Sequence, residues 1–152
     1  MQEHVSRADF YRLQPELVQG LKSTQEAVEA SGIEPGLIHL IFLRASQLNG
    51  CAFCQRMHSE EARGDGERQA RLDVLPAWRE SPGFSERERA ALAWTEALTL
   101  LAESEIEQAL RDQVRASFSL EEQLSLTSLV VIINSWNRIV LSCGFRPDIG
   151  EG

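Results

Sequence analysis

The chain has 152 residues, 43% of them hydrophobic and 25% charged, close to the globular average and long enough to bury one full core without a disulfide or metal staple. Its 23 acidic residues against 15 basic ones leave a net charge of −8, which disfavours nucleic acid and anionic membrane surfaces as partners. No stretch reads as the roughly twenty apolar residues of a bilayer span, and Met1-Gln2-Glu3-His4 opens no basic-then-apolar leader, so the chain reads as one cytoplasmic domain over residues 1–152 with no membrane partner.

Helical spacing dominates, and no segment sustains the apolar/polar alternation of a half-buried strand, so the predicted class is all-α. Pro15 suits the first turn of a helix carrying Leu17, Leu21 and Val28 at helical intervals, with Gly32 near its stop. Leu37 to Leu43 is apolar nearly all round apart from His39, the pattern of a helix covered on more than one side, and Asn49-Gly50 breaks it. Cys51 to about Arg63 forms a short helix ending at Gly64-Asp65-Gly66, and Glu67 to Leu75 another that stops at Pro76. Ser81 to Phe84 is a loop. Three capping boxes then mark helix starts, at Ser85 with Glu88, Ser104 with Glu107 and Ser119 with Glu122. The last helix, about 120–142, holds five consecutive apolar residues from Leu129 to Ile133. Such a run faces every direction and predicts packing against another subunit, the alternative being a central place in a monomeric bundle.

Three cysteines without a leader do not suggest a secreted disulfide framework. Cys51 and Cys54 are one turn apart, His58 is one turn further, and all three share a helix face. Cys51 follows Asn49-Gly50 at a helix N-terminus, where the backbone dipole lowers a thiol pKa, and His58 is placed to take the Cys54 proton. Covalent haem attachment requires histidine directly after the second cysteine, where this chain has Gln55. Zinc finds three ligands in Cys51, Cys54 and His58 but no companion beside the distant Cys143. The histidine favours a redox dithiol over zinc or simple burial.

The run Leu43-Arg44-Ala45-Ser46-Gln47-Leu48-Asn49-Gly50-Cys51-Ala52-Phe53-Cys54-Gln55-Arg56-Met57-His58 resembles the core motif of the AhpD-like alkylhydroperoxidases of the carboxymuconolactone decarboxylase superfamily. Glu88 to Thr99 is similar to that family's following helix, and Ile133-Asn134-Ser135-Trp136-Asn137-Arg138 to its C-terminal signature, so the resemblance spans roughly residues 15 to 145. It implies a helical domain assembling into trimers or hexamers, with no tightly bound cofactor. It also implies a thiol peroxidase acting on organic hydroperoxides or hydrogen peroxide, re-reduced by an external dithiol such as a lipoylated protein. Cys54, one turn from the histidine, is the expected attacking thiol and Cys51 the resolving one; the helix terminus favours the reverse order. Other readings are a general disulfide oxidoreductase, a redox-sensing or zinc-binding module, and a decarboxylase, which would not need two adjacent cysteines.

One departure concerns position 39, where the family commonly carries a relay glutamate and this chain has His39. An imidazole there is either a substitute proton acceptor or a buried histidine satisfied by backbone. The expected catalytic set is therefore Cys51, Cys54, His58 and His39, with Glu96 the first carboxylate to consider as a replacement. Ser46, Gln47 and Asn49 are read as either lining the approach to the dithiol or serving as buried and capping groups. Trp94, Trp136 and Asn137 are read as core or subunit contacts and Cys143 as inert packing.

Overall fold

The computed structural model describes residues 5–150; the N-terminal tetrapeptide read above lies outside them. Eight α-helices and one 3-10 turn account for the regular structure, with no strand among the described residues. Helix α1 (Arg7–Leu13) begins where the Ser6 side chain accepts the Asp9 N–H, a Ser-x-x-Asp start that the reading of the sequence passed over. Helix α2 (Pro15–Glu29) opens on Pro15, and α3 (Pro35–Leu48) on Pro35. Each proline fixes φ at a first-turn position whose N–H has no intrahelical partner in any case.

Helix α3 is the hub. Leu37, Ile38, Leu40, Ile41, Phe42, Leu43 and Ala45 are all buried because α4 (Ala52–Gly64), α6 (Glu86–Thr99) and α8 (Leu120–Cys143) pack around it. Its near-continuous apolar run is the sequence record of that encirclement. Burial of each large aliphatic side chain here contributes on the order of 1.5–3 kcal/mol.

Two of the three expected capping boxes form. Ser85 and Glu88 start α6 and Ser119 and Glu122 start α8, with both reciprocal bonds present in each. The carboxylates also take arginines from neighbouring segments: Arg71 reaches Glu88 at 2.6 Å, and Arg87 reaches Glu122 at 2.7 Å and Glu34 at 2.8 Å. The third box does not form. Helix α7 (Gln108–Ser117) starts three residues later than expected, after Glu107, with no side-chain cap. The expected helix from Glu67 to Leu75 is shorter, α5 (Gln69–Asp73), and Pro76 sits inside the 3-10 turn Leu75–Ala77 that follows it. Proline lacks an N–H but its fixed φ suits a first turn, so it continues the chain here as a tight turn.

Helix α8 corrects the expectation that no stretch is apolar enough for a bilayer span: its 24 residues have the length and composition for one. It instead packs against α2, α3, α6 and α7. Of the five apolar residues in its middle, Leu129, Val130, Ile132 and Ile133 are buried within the one chain and only Val131 is exposed. Of the two readings of this run, the central place in the bundle accounts for four of its five directions, and Val131 is left facing outward.

Candidate active site

Gly50 adopts φ +68°, a left-handed conformation that turns the chain sharply from α3 into α4. Cys51 is then the N-cap of α4, its sulfur accepting the Cys54 backbone N–H at 3.3 Å, and its own N–H donates to the Ser46 carbonyl at 3.0 Å. The two sulfurs are bonded at 2.06 Å, with the Cα atoms 5.3 Å apart.

A buried amide network holds this turn from behind. Asn137 of α8 is fully buried; its oxygen accepts from the Asn49 amide at 2.9 Å and its nitrogen donates to Ser46 Oγ at 3.0 Å. The Asn49 amide also donates to Asn134 Oδ1 at 3.0 Å, and Asn134 donates to Thr99 Oγ1 at 3.0 Å. Ser46 and Asn49 thus brace the turn and do not line the approach to the dithiol. Gln47 accepts from Arg44 at 3.1 Å.

In front of the disulfide lies a cavity of about 460 Å³. Helix α4 gives it one stripe, Cys54, Met57, His58 and Glu61, at the i, i+3, i+4 and i+7 positions of a single face. Helix α8 supplies Ile133, Trp136 and Val140, and α3 supplies Phe42. Phe53 and Phe145, whose rings meet edge to face, and Tyr11 of α1 complete the apolar part. Both cysteines are buried, and of the two only Cys54 lines this wall. Trp136, expected in the core or a subunit contact, lines the cavity and donates from its indole to Gln25 Oε1 at 3.0 Å.

His58 is only 5% exposed, with its ring against Phe42 at 5.2 Å. Its Nδ1 lies 2.9 Å from Glu61 Oε2. The hydrogen bond with His58 holds the Glu61 carboxyl below its ordinary pKa, against the opposing effect of burial. An ionised carboxylate only accepts, so Nδ1 carries the hydrogen and, in the neutral ring, Nε2 is left as the base. Glu61 was missed in the sequence, although the His58-x-x-Glu61 spacing placed it one turn away.

The other expected participants lie elsewhere. His39 is not on the Cys54 cavity; its Nε2 is 2.6 Å from Asp65 Oδ2, the residue that ends α4. Glu96 accepts from Arg44 at 2.9 Å, the Trp78 indole at 2.8 Å and Arg79 at 2.5 Å. Burial raises the Glu96 pKa, but these donors outweigh it and keep the group below its ordinary value. With its oxygens occupied between α3, α6 and the 3-10 turn, Glu96 is a structural ion-pair centre and no substitute for the relay glutamate. Trp94 donates to Thr127 Oγ1 at 3.1 Å, and Cys143 is free and half-buried. Among the described residues, no three His, Cys, Asp or Glu side chains converge as a metal-binding group.

An all-helical bundle with a one-turn cysteine pair at the head of a helix, opening on a cavity shared with histidine, defines the AhpD-like class. Residues 15–97 match the carboxymuconolactone decarboxylase family, and the chain belongs to that family. It is 36% identical over 140 residues to the uncharacterised protein YdfG of Bacillus subtilis, an alignment covering 92% of this chain and 95% of that one. A crystal structure from Agrobacterium tumefaciens, of a protein of unknown function described as a candidate antioxidant defence protein AhpD, superposes with a TM-score of 0.89 at 38% identity. It covers 95% of this chain and 99% of its own. An uncharacterised peroxidase-related protein from Silicibacter sp. TM1040 shares the fold, with a TM-score of 0.80 at 19% identity and coverage of 93% and 75%.

Proposed function

We propose that the protein is a thiol-dependent peroxidase cycling Cys51 and Cys54 between dithiol and disulfide. The observation that carries this reading is the placement of Cys54, alone of the pair, on a cavity wall beside His58, with Cys51 bonded to it. In the reduced protein, His58 Nε2 takes the Cys54 proton. The thiolate attacks the terminal peroxide oxygen; the S–O bond forms as O–O breaks, and the leaving alkoxide takes a proton to depart as alcohol, or water from hydrogen peroxide. The Cys51 thiol displaces water from the sulfenic acid, giving the disulfide. An external dithiol such as a lipoyl group then reduces it by two exchanges and is itself oxidised. Consumption of peroxide that requires dihydrolipoamide tests the cycle; metal-bound protein that consumes none overturns it. The cytoplasmic setting belongs to the same proposal, because the cycle needs a compartment that supplies reduced dithiol.

Glu61 acts through His58 as a positioning residue. Glu61→Gln is expected to lower the rate of peroxide reaction about tenfold, the usual scale for losing a group that orients an imidazole. His39→Leu is expected to stay within about twofold, although a relay through His39 would have predicted a slow enzyme. A His39→Leu rate as low as that of Glu61→Gln would restore His39 to the mechanism. The lowered carboxyl pKa also fixes a sign. The Glu61–His58 contribution to stability is fully present above the ordinary carboxylate range and is lost as pH falls through the lowered value. Thermal melting of wild type therefore loses more on acidification than that of Glu61→Gln.

The oligomer implied by the family resemblance finds support in an exposed stripe on α8, Leu120, Leu124 and Val131, which share one helix face. Light scattering is expected to give three or six times the 17.0 kDa chain mass; a monomer mass counts against assembly.

A further inference from the structure

The cavity is electrically polarised. At one end the Arg7 guanidinium sits between two aromatic rings, 5.7 Å from the Tyr11 centroid and 5.5 Å from that of Phe53, the neighbour of Cys54. Lys22, the sole lysine of the chain, lies 5.0 Å from the same Tyr11 ring. At the opposite end, Glu61 and Glu29 face a shared recess with His39 and Asp65, while Glu26, one turn from Lys22 on α2, lies on the wall between the two ends and leaves Arg7 as the cation farther from a carboxylate. Arg7 and Lys22 form no ion pair among the described residues, although nine close arginine–carboxylate contacts occur among them elsewhere. Cations held on aromatic faces keep their charge and free their N–H groups for an incoming acceptor.

We propose that Arg7 and Lys22 form an anion subsite of the Cys54 cavity, so that its preferred substrates are apolar hydroperoxides bearing a carboxylate. The proposal deepens the peroxidase reading and rests on it for the reactive group. The apolar body of the substrate fills the space among Phe42, Trp136 and Phe145, and its carboxylate points to the Arg7 end. Glu61, ionised beside His58, repels that carboxylate from the other end. The two effects together fix one orientation, with the peroxide directed to Cys54. Both cations are exposed at the rim, so the expected discrimination is modest and salt-sensitive.

Binding and turnover test the subsite separately. By calorimetry at low ionic strength, unreactive 4-isopropylbenzoate is expected to bind about fivefold more tightly than neutral 4-isopropylbenzamide. The ratio should fall to near one in Arg7→Gln/Lys22→Gln and at high salt, and remain in Arg56→Gln, which removes an exposed cation of α4 outside the cavity. A ratio near one in wild type, or one that survives the double variant, overturns the anion subsite. Cumene hydroperoxides with and without a 4-carboxylate then read the same preference in kcat/KM. Should neither be consumed while the affinity ratio holds, the peroxidase reading falls and the subsite stands; equal turnover with equal affinity removes the subsite alone.

Discussion

Cys54→Ser is expected to reduce peroxide consumption by at least about a thousandfold, whereas Cys51→Ser should consume one equivalent and stop. The asymmetry follows from position. Cys54 shares the cavity stripe with His58, so its removal takes away both the nucleophile and the group whose proton the imidazole accepts. Cys51 is fully buried as the N-cap of α4 and meets the sulfur only after oxygen has been transferred. In its absence the sulfenic acid has no resolving partner and persists, available for trapping by dimedone and detectable as a mass increase. Serine at position 51 also retains a capping acceptor for the Cys54 N–H, so the helix start survives the substitution. A single turnover by Cys54→Ser together with an inert Cys51→Ser would reverse the order of attack.

The second large effect concerns stability. Asn137→Leu is expected to cost about 2–3 kcal/mol, because the near-isosteric change removes one of the two acceptors of Asn49 and the donor to Ser46 in a site closed to water. For a chain of this length that corresponds to a melting temperature lower by about 4–12 °C. Ser135→Ala, two residues away on the exposed side of α8, should change stability by less than about 0.5 kcal/mol. Differential scanning calorimetry of the two variants measures the contrast; equal melting temperatures would deny the amide network its role. The Asn137 loss also loosens the Asn49-Gly50-Cys51 turn, so reduced protein should reoxidise more slowly.

The helical class and the dithiol were legible because they depend on local spacing: Pro15 and two of the capping serines are read from neighbours within one turn. The Ser104 box failed for the same reason. Ser-x-x-Glu satisfies a local rule, but the chain from Leu100 to Glu107 does not enter the helix there, and Glu107 itself became the N-cap. The Leu129 to Ile133 run was ambiguous, since a sequence records that a face is apolar and not whether its own chain covers it. Glu96 and Glu61 show the same limit from the other side. Both are carboxylates on helices, and only the approach of Arg44, Trp78 and Arg79 to the former separates a structural ion pair from a partner of His58. The slot in front of Cys54 needed α1, α2 and α8 to converge, and no spacing within the chain could reveal that.

Helix α8 carries two adjacent stripes with different tasks. Ile133, Trp136 and Val140 shape the space that a substrate occupies, whereas Asn134 and Asn137 secure the turn that presents the sulfurs. Because the stripes are distinct on one rigid helix, selection can resize or recolour the first without disturbing the second. A lineage built on this helix is free to diversify what it binds while inheriting its sulfur chemistry intact.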